Sequence, residues 1–197
     1  MSTESIRTAI QGAIAYLTEH PDDGRATDTF ATATMEDGLR CVVRGPDGVE
    51  THTDMVTSVG GKNTAPSPGW LARAATASCV ATLIVMKAAL DNVELESLEV
   101  TADSESDDLG ILGIDDETPA GPLSVSVRVS LGSTGGDVEK LREIVEWADA
   151  HCPVTDLTRR QVPISLGLLH EDLSNDRSFG FRGGEEPDAG LGQKDSR

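Results

Sequence analysis

Residues 67–90, SPGWLARAATASCVATLIVMKAAL, decide how the rest of the chain must be arranged. Ser67 followed by Pro68 is the chemistry of a helix start: the serine oxygen can accept a free N–H, and proline has none to leave unpaired. From there Leu71, Ala74, Ala75, Cys79, Val80, Leu83, Ile84 and Met86 place apolar side chains on nearly every side. A helix that is apolar all round is a buried one. One thiol, Cys79, lies inside it, and Asn92 stands where the chain turns away.

On the N-terminal side, Ile6, Ile10, Ile14 and Leu17 recur at helical spacing over residues 3–19 and stop at HPDDG, which predicts a one-sided amphipathic helix packed on the body of the domain. From residue 28 the pattern shortens to strands: TFATATM, a turn at EDG, LRCVV, a turn at GPDG, then VETHTDMV. Gly38 and Gly48, each preceded by aspartate, are hairpin signals, so residues 28–57 read as an antiparallel meander. Cys41 falls in its second strand and reads as a structural thiol.

On the C-terminal side come VELESLEVTA and PLSVSVRVSL, the second alternating strictly through Leu123, Val125, Val127, Val129 and Leu131. Between them lies a long acidic loop carrying Ile111 and Leu112, and loops of that length often serve function or partner binding. Val138, Leu141, Ile144, Val145 and Ala148 then mark a second amphipathic helix, HCPVTDL restarts a helical turn, and QVPISLGLL reads as a final strand. The order predicts an α+β fold, antiparallel sheets packed around a long buried central helix. One small chain covers such a helix poorly, and a homodimer whose sheets enclose both helices would complete the cover.

Two cysteines differ in their physics. Cys79 is far from the positive end of its helix, so apolar surroundings should raise its pKa. Cys152 precedes Pro153 at a helix start, where free N–H groups favour a thiolate. The spacing between them says nothing of their distance, and free cysteines are usually inert core residues. His151 next to Cys152 is a weak metal signal because neighbours in sequence point to different sides; no metal site is expected, and no C-x-x-C occurs.

Taken together, SPGWLARAATASC, with Pro68 ahead of a helical Cys79 and small Ala75, Ala77 and Ser78 before it, and the later HCPVTDLTR resemble the OsmC/Ohr family of osmotically inducible and organic hydroperoxide resistance proteins. The stretch DDLGILGIDDETPAGPLSVSVRVSL is similar to a family segment as well, so the likeness spans roughly residues 28–170. The resemblance implies an intertwined homodimer with an OsmC-like domain over 21–170; periodicity sets off an N-terminal helix (1–20), and a polar, Gly-rich composition without periodicity reads as a disordered acidic tail (171–197). It also implies thiol peroxidase chemistry. Cys79 would become a sulfenic acid on an organic hydroperoxide, and Cys152 would close a disulfide with it. A dithiol reductant of lipoyl type would reopen that disulfide, with no cofactor. In the hydroperoxide branch a glutamate follows the helix-starting proline and pairs with an arginine near the first turn of the sheet. Here Gly69 holds the first position, Glu36 and Asp37 lie near the second, and Arg40 is the nearest cation, ahead of Arg44; Arg73, Arg128, Arg159 and Arg160 are other candidates. That departure leaves an alternative: an OsmC-like protein with little peroxidase activity that binds a small apolar ligand or serves a stress response. A purely structural acidic protein is a third reading.

Composition narrows the partners. The 197 residues fit one domain with extensions, and 34 acidic against 16 basic side chains give a net charge of −18. Such a surface repels phosphate backbones and anionic bilayers, which argues against nucleic acid and membrane partners. No run reaches the roughly 18 uninterrupted apolar residues of a membrane span, and the first twenty residues do not read as a secretory signal. Cytoplasmic localisation is the expectation. Only four lysines accompany the acidic residues, a balance suited to a cytosol full of salt, where screening weakens self-repulsion. Dialysis to low salt followed by circular dichroism tests this: loss of folded structure marks a halophilic protein, and indifference marks an ordinary acidic one.

Overall fold

In a computed structural model, which describes residues 2–134 and 137–168, the central helix α2 spans Pro68–Leu90. Ser67 caps it, its side chain accepting the Trp70 N–H at 3.2 Å. Asn92 (φ 59°) turns the chain out of the helix and into β4, Leu95–Glu105. Helix α4, Val138–His151, is capped by Asp137 through the Glu139 N–H at 2.8 Å and is followed directly by α5, Pro153–Arg159.

Two ridges hold the helices together. Val80, Ile84 and Ala88 recur every fourth residue along α2, and Ile144 and Ala148 do so along α4, with Cys152 continuing the row at its end; all six are buried. At one end of the packed pair the Lys140 ammonium lies 2.9 Å from the Asp91 carboxylate, which Lys87 also meets at 2.7 Å. Cys79 lies twelve residues before Asp91, and Cys152 twelve residues after Lys140. At 1.5 Å per residue both spans are about 18 Å. An antiparallel pair pinned by Lys140 and Asp91 therefore brings the two thiols to the same level at its other end.

Strand β4 pairs antiparallel with β5, Ser124–Ser133, matching Val100 to Val129 and Ala102 to Val127. Leu98, Val100, Val127, Val129 and Leu131 point at the helical core, while Glu99, Thr101, Ser126, Arg128 and Ser130 face outward. A short helix α3, Asp108–Ile111, stands in the acidic loop between them, where sequence patterning showed only loop. It fits because Gly110 runs against the Pro119 carbonyl, which a Cβ would meet at 2.3 Å.

The N-terminal meander forms as expected. Strands β1, Thr32–Asp37, β2, Arg40–Arg44, and β3, Glu50–Thr53, pair antiparallel in that order, with Gly38 (φ 59°) and Gly48 (φ 77°) in the turns. Cys41 sits in β2 between Met35 and Thr53. Among the described residues this sheet packs chiefly on itself, whereas α1, α4, α5 and β4 pack on α2. Helix α1, Thr3–Glu19, is seated only by its first half: Ile6 and Ile10 are half-buried, while Ile14 and Leu17 are exposed.

Helix α2 is not buried all round within one protomer: Thr76, Val80, Ile84, Ala88 and Ala89 are buried, but Ala72, Ala75, Ser78, Thr82 and Val85 form an open stripe. By length and composition α2 is apolar enough to cross a membrane, with mean hydropathy 1.4 over an 18-residue window, and here it packs against three other helices and a strand. The final strand is absent: residues 162–168 have no regular structure and no ladder partner, Pro163 having removed one of the N–H groups a strand would need. The tail expected at 171–197 lies outside the described residues.

The link from β3 to α2 is tied by Asp54, a buried carboxylate. It accepts the backbone N–H groups of Met55 (2.7 Å), Lys62 (3.3 Å) and Thr64 (2.9 Å), and the Thr64 hydroxyl at 2.8 Å. The Thr64 N–H leads in holding its pKa down, from 3.8 to about 2. A depressed carboxylate stabilises the fold above its unfolded pKa and ceases to do so as pH falls through the folded value. Urea unfolding across acidic pH should therefore show wild-type stability falling between about pH 4 and pH 2. The Asp54→Asn variant should be weaker at neutral pH and flatter through that window.

Candidate active site

The antiparallel register of α2 and α4 places Cys79 against Cys152. Cys152 is 0% exposed and stands at the N-cap position of α5, without a side-chain cap hydrogen bond; Pro153 holds the first helical position and Val154 and Thr155 follow with the first N–H groups. Cys79 is half-buried and packs against the same apolar cluster, alongside Leu83 and Val154. All three cysteines are free thiols, and Cys41 is on the separate three-stranded sheet.

The two thiols have opposite electrostatics, in the directions expected from their helix positions. Burial, joined by the facing Cys152 sulfur, pushes the Cys79 thiol above its usual value; the Val154 N–H opposes this weakly. Burial also acts against ionisation of Cys152. There the Thr155 N–H, the Cys79 thiol, the Thr155 hydroxyl and the Val154 N–H together outweigh it, and the pKa falls. Thr155 is itself buried, its hydroxyl 3.2 Å from the Cys152 carbonyl. Val154 and Thr155 were not singled out in sequence, yet the signal is there. In Cys-Pro-Val-Thr the proline leaves the next two N–H groups to serve the cap.

Arg40 stands elsewhere within the protomer. Its Nε donates to Glu36 at 2.9 Å and its Nη1 to the Thr64 hydroxyl at 2.8 Å, so it belongs to the Asp54 cluster on the meander. Arg44 pairs with Glu50, Arg128 with Asp103, Arg159 with Asp149 and Arg160 with Asp156. Arg73 donates to the Ser104 hydroxyl at 3.2 Å. Gly69 leaves room for a side chain, since a Cβ there would meet the Arg73 guanidinium only at 3.8 Å. A cavity of about 310 Å³ lies between α1, α2 and β4, lined by Ile6, Val85, Ala89 and Leu95, and a groove of about 400 Å³ by Ala81 and Met86 adjoins it. Neither sulfur lines them.

A family model described as OsmC-like protein matches residues 61–167, a span that contains both thiols. No curated protein sequence matches the chain. Among solved structures, an organic hydroperoxide resistance protein OsmC from Legionella pneumophila superposes with TM-score 0.51 at 23% identity, covering 68% of this chain and 91% of that one. An organic hydroperoxide resistance protein from Elizabethkingia anophelis gives TM-score 0.52 at 21% identity, covering 70% and 91%. An OsmC-like protein from Mycoplasma pneumoniae gives 0.58 at 10%, covering 68% and 89%. At these identities the likeness is one of fold.

Proposed function

Because the chain belongs to the OsmC-like protein family, we propose that it is a thiol-dependent peroxidase acting on organic hydroperoxides in oxidative stress defence. The observation that carries this reading is the pair itself: two free thiols packed into one apolar core, one half-buried and one fully enclosed. A binding pocket has no use for the second.

Cys79, the accessible thiol, attacks the outer peroxide oxygen; the O–O bond breaks, leaving a sulfenic acid on Cys79 and releasing the alcohol. Cys152 then displaces hydroxide from that sulfur to form the disulfide. A dithiol reductant, such as a lipoyl protein, reopens it by exchange, a cycle that suits the reducing cytoplasm. Apolar surroundings favour an alkyl hydroperoxide over hydrogen peroxide because burial of the alkyl group contributes to binding. The working unit is an intertwined homodimer, for which the open stripe on α2 and the loosely attached meander are the supporting features.

A second reading has its own observation. Among the described residues no cation acts on Cys79, whose pKa is raised, and Gly69 stands where a carboxylate was expected. An OsmC-like protein with little peroxidase activity, binding a small apolar ligand, fits those facts. Thiol titration after adding cumene hydroperoxide separates the two. The peroxidase reading expects rapid loss of two thiols per chain, abolished by Cys79→Ser and reduced to one by Cys152→Ser. Loss no faster than that of free cysteine supports the binding protein.

A further inference from the structure

Helix α1 lies outside the residues that the OsmC-like family model matches, and it is seated on the domain by its first half alone. Ile6 and Ile10 are half-buried and Arg7 donates to the Asn92 side chain, where the chain leaves α2, while Ile14 and Leu17 stay exposed. That seat does not close. Between α1, α2 and β4 it leaves the cavity of about 310 Å³. Close-packed interiors keep few voids larger than a water molecule, and this one is about ten times the roughly 30 Å³ that a water occupies.

We propose that this cavity binds a small aliphatic molecule whose head group donates a hydrogen bond and carries no negative charge, an alcohol in the simplest case. Its walls come from three elements: Ile6 of α1, Val85 and Ala89 of α2, and Leu95 and Leu98 of β4. Such side chains offer water none of the polar partners it needs, whereas an alkyl chain gains from leaving water. A cavity of about 150 Å³ takes a benzene, so about 310 Å³ suits a chain of roughly eight carbons. Polar side chains complete the lining: the hydroxyls of Thr3 and Ser97 and the carboxylate of Glu96. One Glu96 oxygen accepts the Thr134 hydroxyl, and the other can accept from a ligand. Among the described residues no lysine or arginine lines the cavity, so a carboxylate would meet Glu96 with nothing to balance the two charges. A hydroxyl suits these groups, since it can donate to Glu96 and accept from Thr3 or Ser97.

The site is separate from the thiol pair and needs neither reading of it. Ala89 is ten residues beyond Cys79, about 15 Å along α2. Of the open stripe on α2 only Val85 borders the cavity, so the site lies off the surface on which a second copy is proposed to pack. Filling the cavity also supplies contacts that the seat of α1 lacks. A bound molecule therefore stabilises the docked helix, because it binds that state and not the detached one.

The test titrates the full chain, isotope-labelled at isoleucine, leucine and valine methyls, with octanol and separately with octanoate. Octanol should give saturable shifts at Ile6, Val85 and Leu95, leave Val154 beside the thiols unmoved, and slow amide exchange over α1. Octanoate should bind at least about tenfold more weakly, because its charge would be buried beside Glu96 without a partner. Glu96→Gln should narrow that gap, and Cys79→Ser should leave octanol binding as it is. Val85→Trp, which crowds the cavity from a partly exposed position, should weaken octanol binding while the circular dichroism spectrum stays that of the folded chain. Shifts that grow without saturating, octanoate binding as tightly as octanol, or binding that moves Val154 and is lost in Cys79→Ser would each overturn the proposal. Should Val85→Trp fail to fold, the Glu96→Gln comparison decides, and an unchanged gap between alcohol and acid overturns it.

Discussion

The antiparallel packing of α2 on α4 is the constraint from which the rest follows. Ile84 and Ile144, both fully enclosed, fill the centre of the contact, and the Lys140–Asp91 ion pair marks one end. With that end fixed and the two helical spans equal, Cys79 and Cys152 have to meet at the other. No local signal around either cysteine specifies their approach; the helix register does. The β4–β5 hairpin completes the cover on one side by laying Val100, Val127 and Val129 over the same core.

Closing the core in this way leaves work undone elsewhere. A long apolar helix has more surface than the β4–β5 pair and the three helices packed on it cover, so one stripe of α2 stays open. The N-terminal meander is organised by its own buried Asp54 cluster and leaves that stripe uncovered. Both features are what a chain built to complete itself with a second copy would present. Arg40 and Cys79 are held apart in the chain, the first by Glu36 and Thr64 at the meander, the second on α2.

Much of this was legible in the sequence. Period-2 alternation gave β4 and β5, paired Asp-Gly turns gave the meander, and Ser67-Pro68 gave the start of α2. The opposite tendencies of the two thiols also followed from where each sits on its helix. The misses have physical causes. QVPISLGLL alternates like a strand, but a strand needs a ladder partner and Pro163 withholds a donor. Helix α3 depends on Gly110 passing the Pro119 carbonyl, a contact that local pattern cannot announce. The open stripe of α2 was itself expected, since apolar periodicity reports what a helix wants covered and one small chain covers such a helix poorly. The position of Arg40 rests on Thr64 and Asp54, far along the sequence, and no spacing rule would have tied it to them.

The central claim is that the two cysteines joined by the helix register are one redox unit. Peptide mass spectrometry of the protein after a single equivalent of organic hydroperoxide tests it most directly. The account predicts a disulfide between the peptides carrying Cys79 and Cys152 within one chain, with Cys41 still reduced. Oxidation confined to Cys41, or a link between chains in place of Cys79–Cys152, would contradict it.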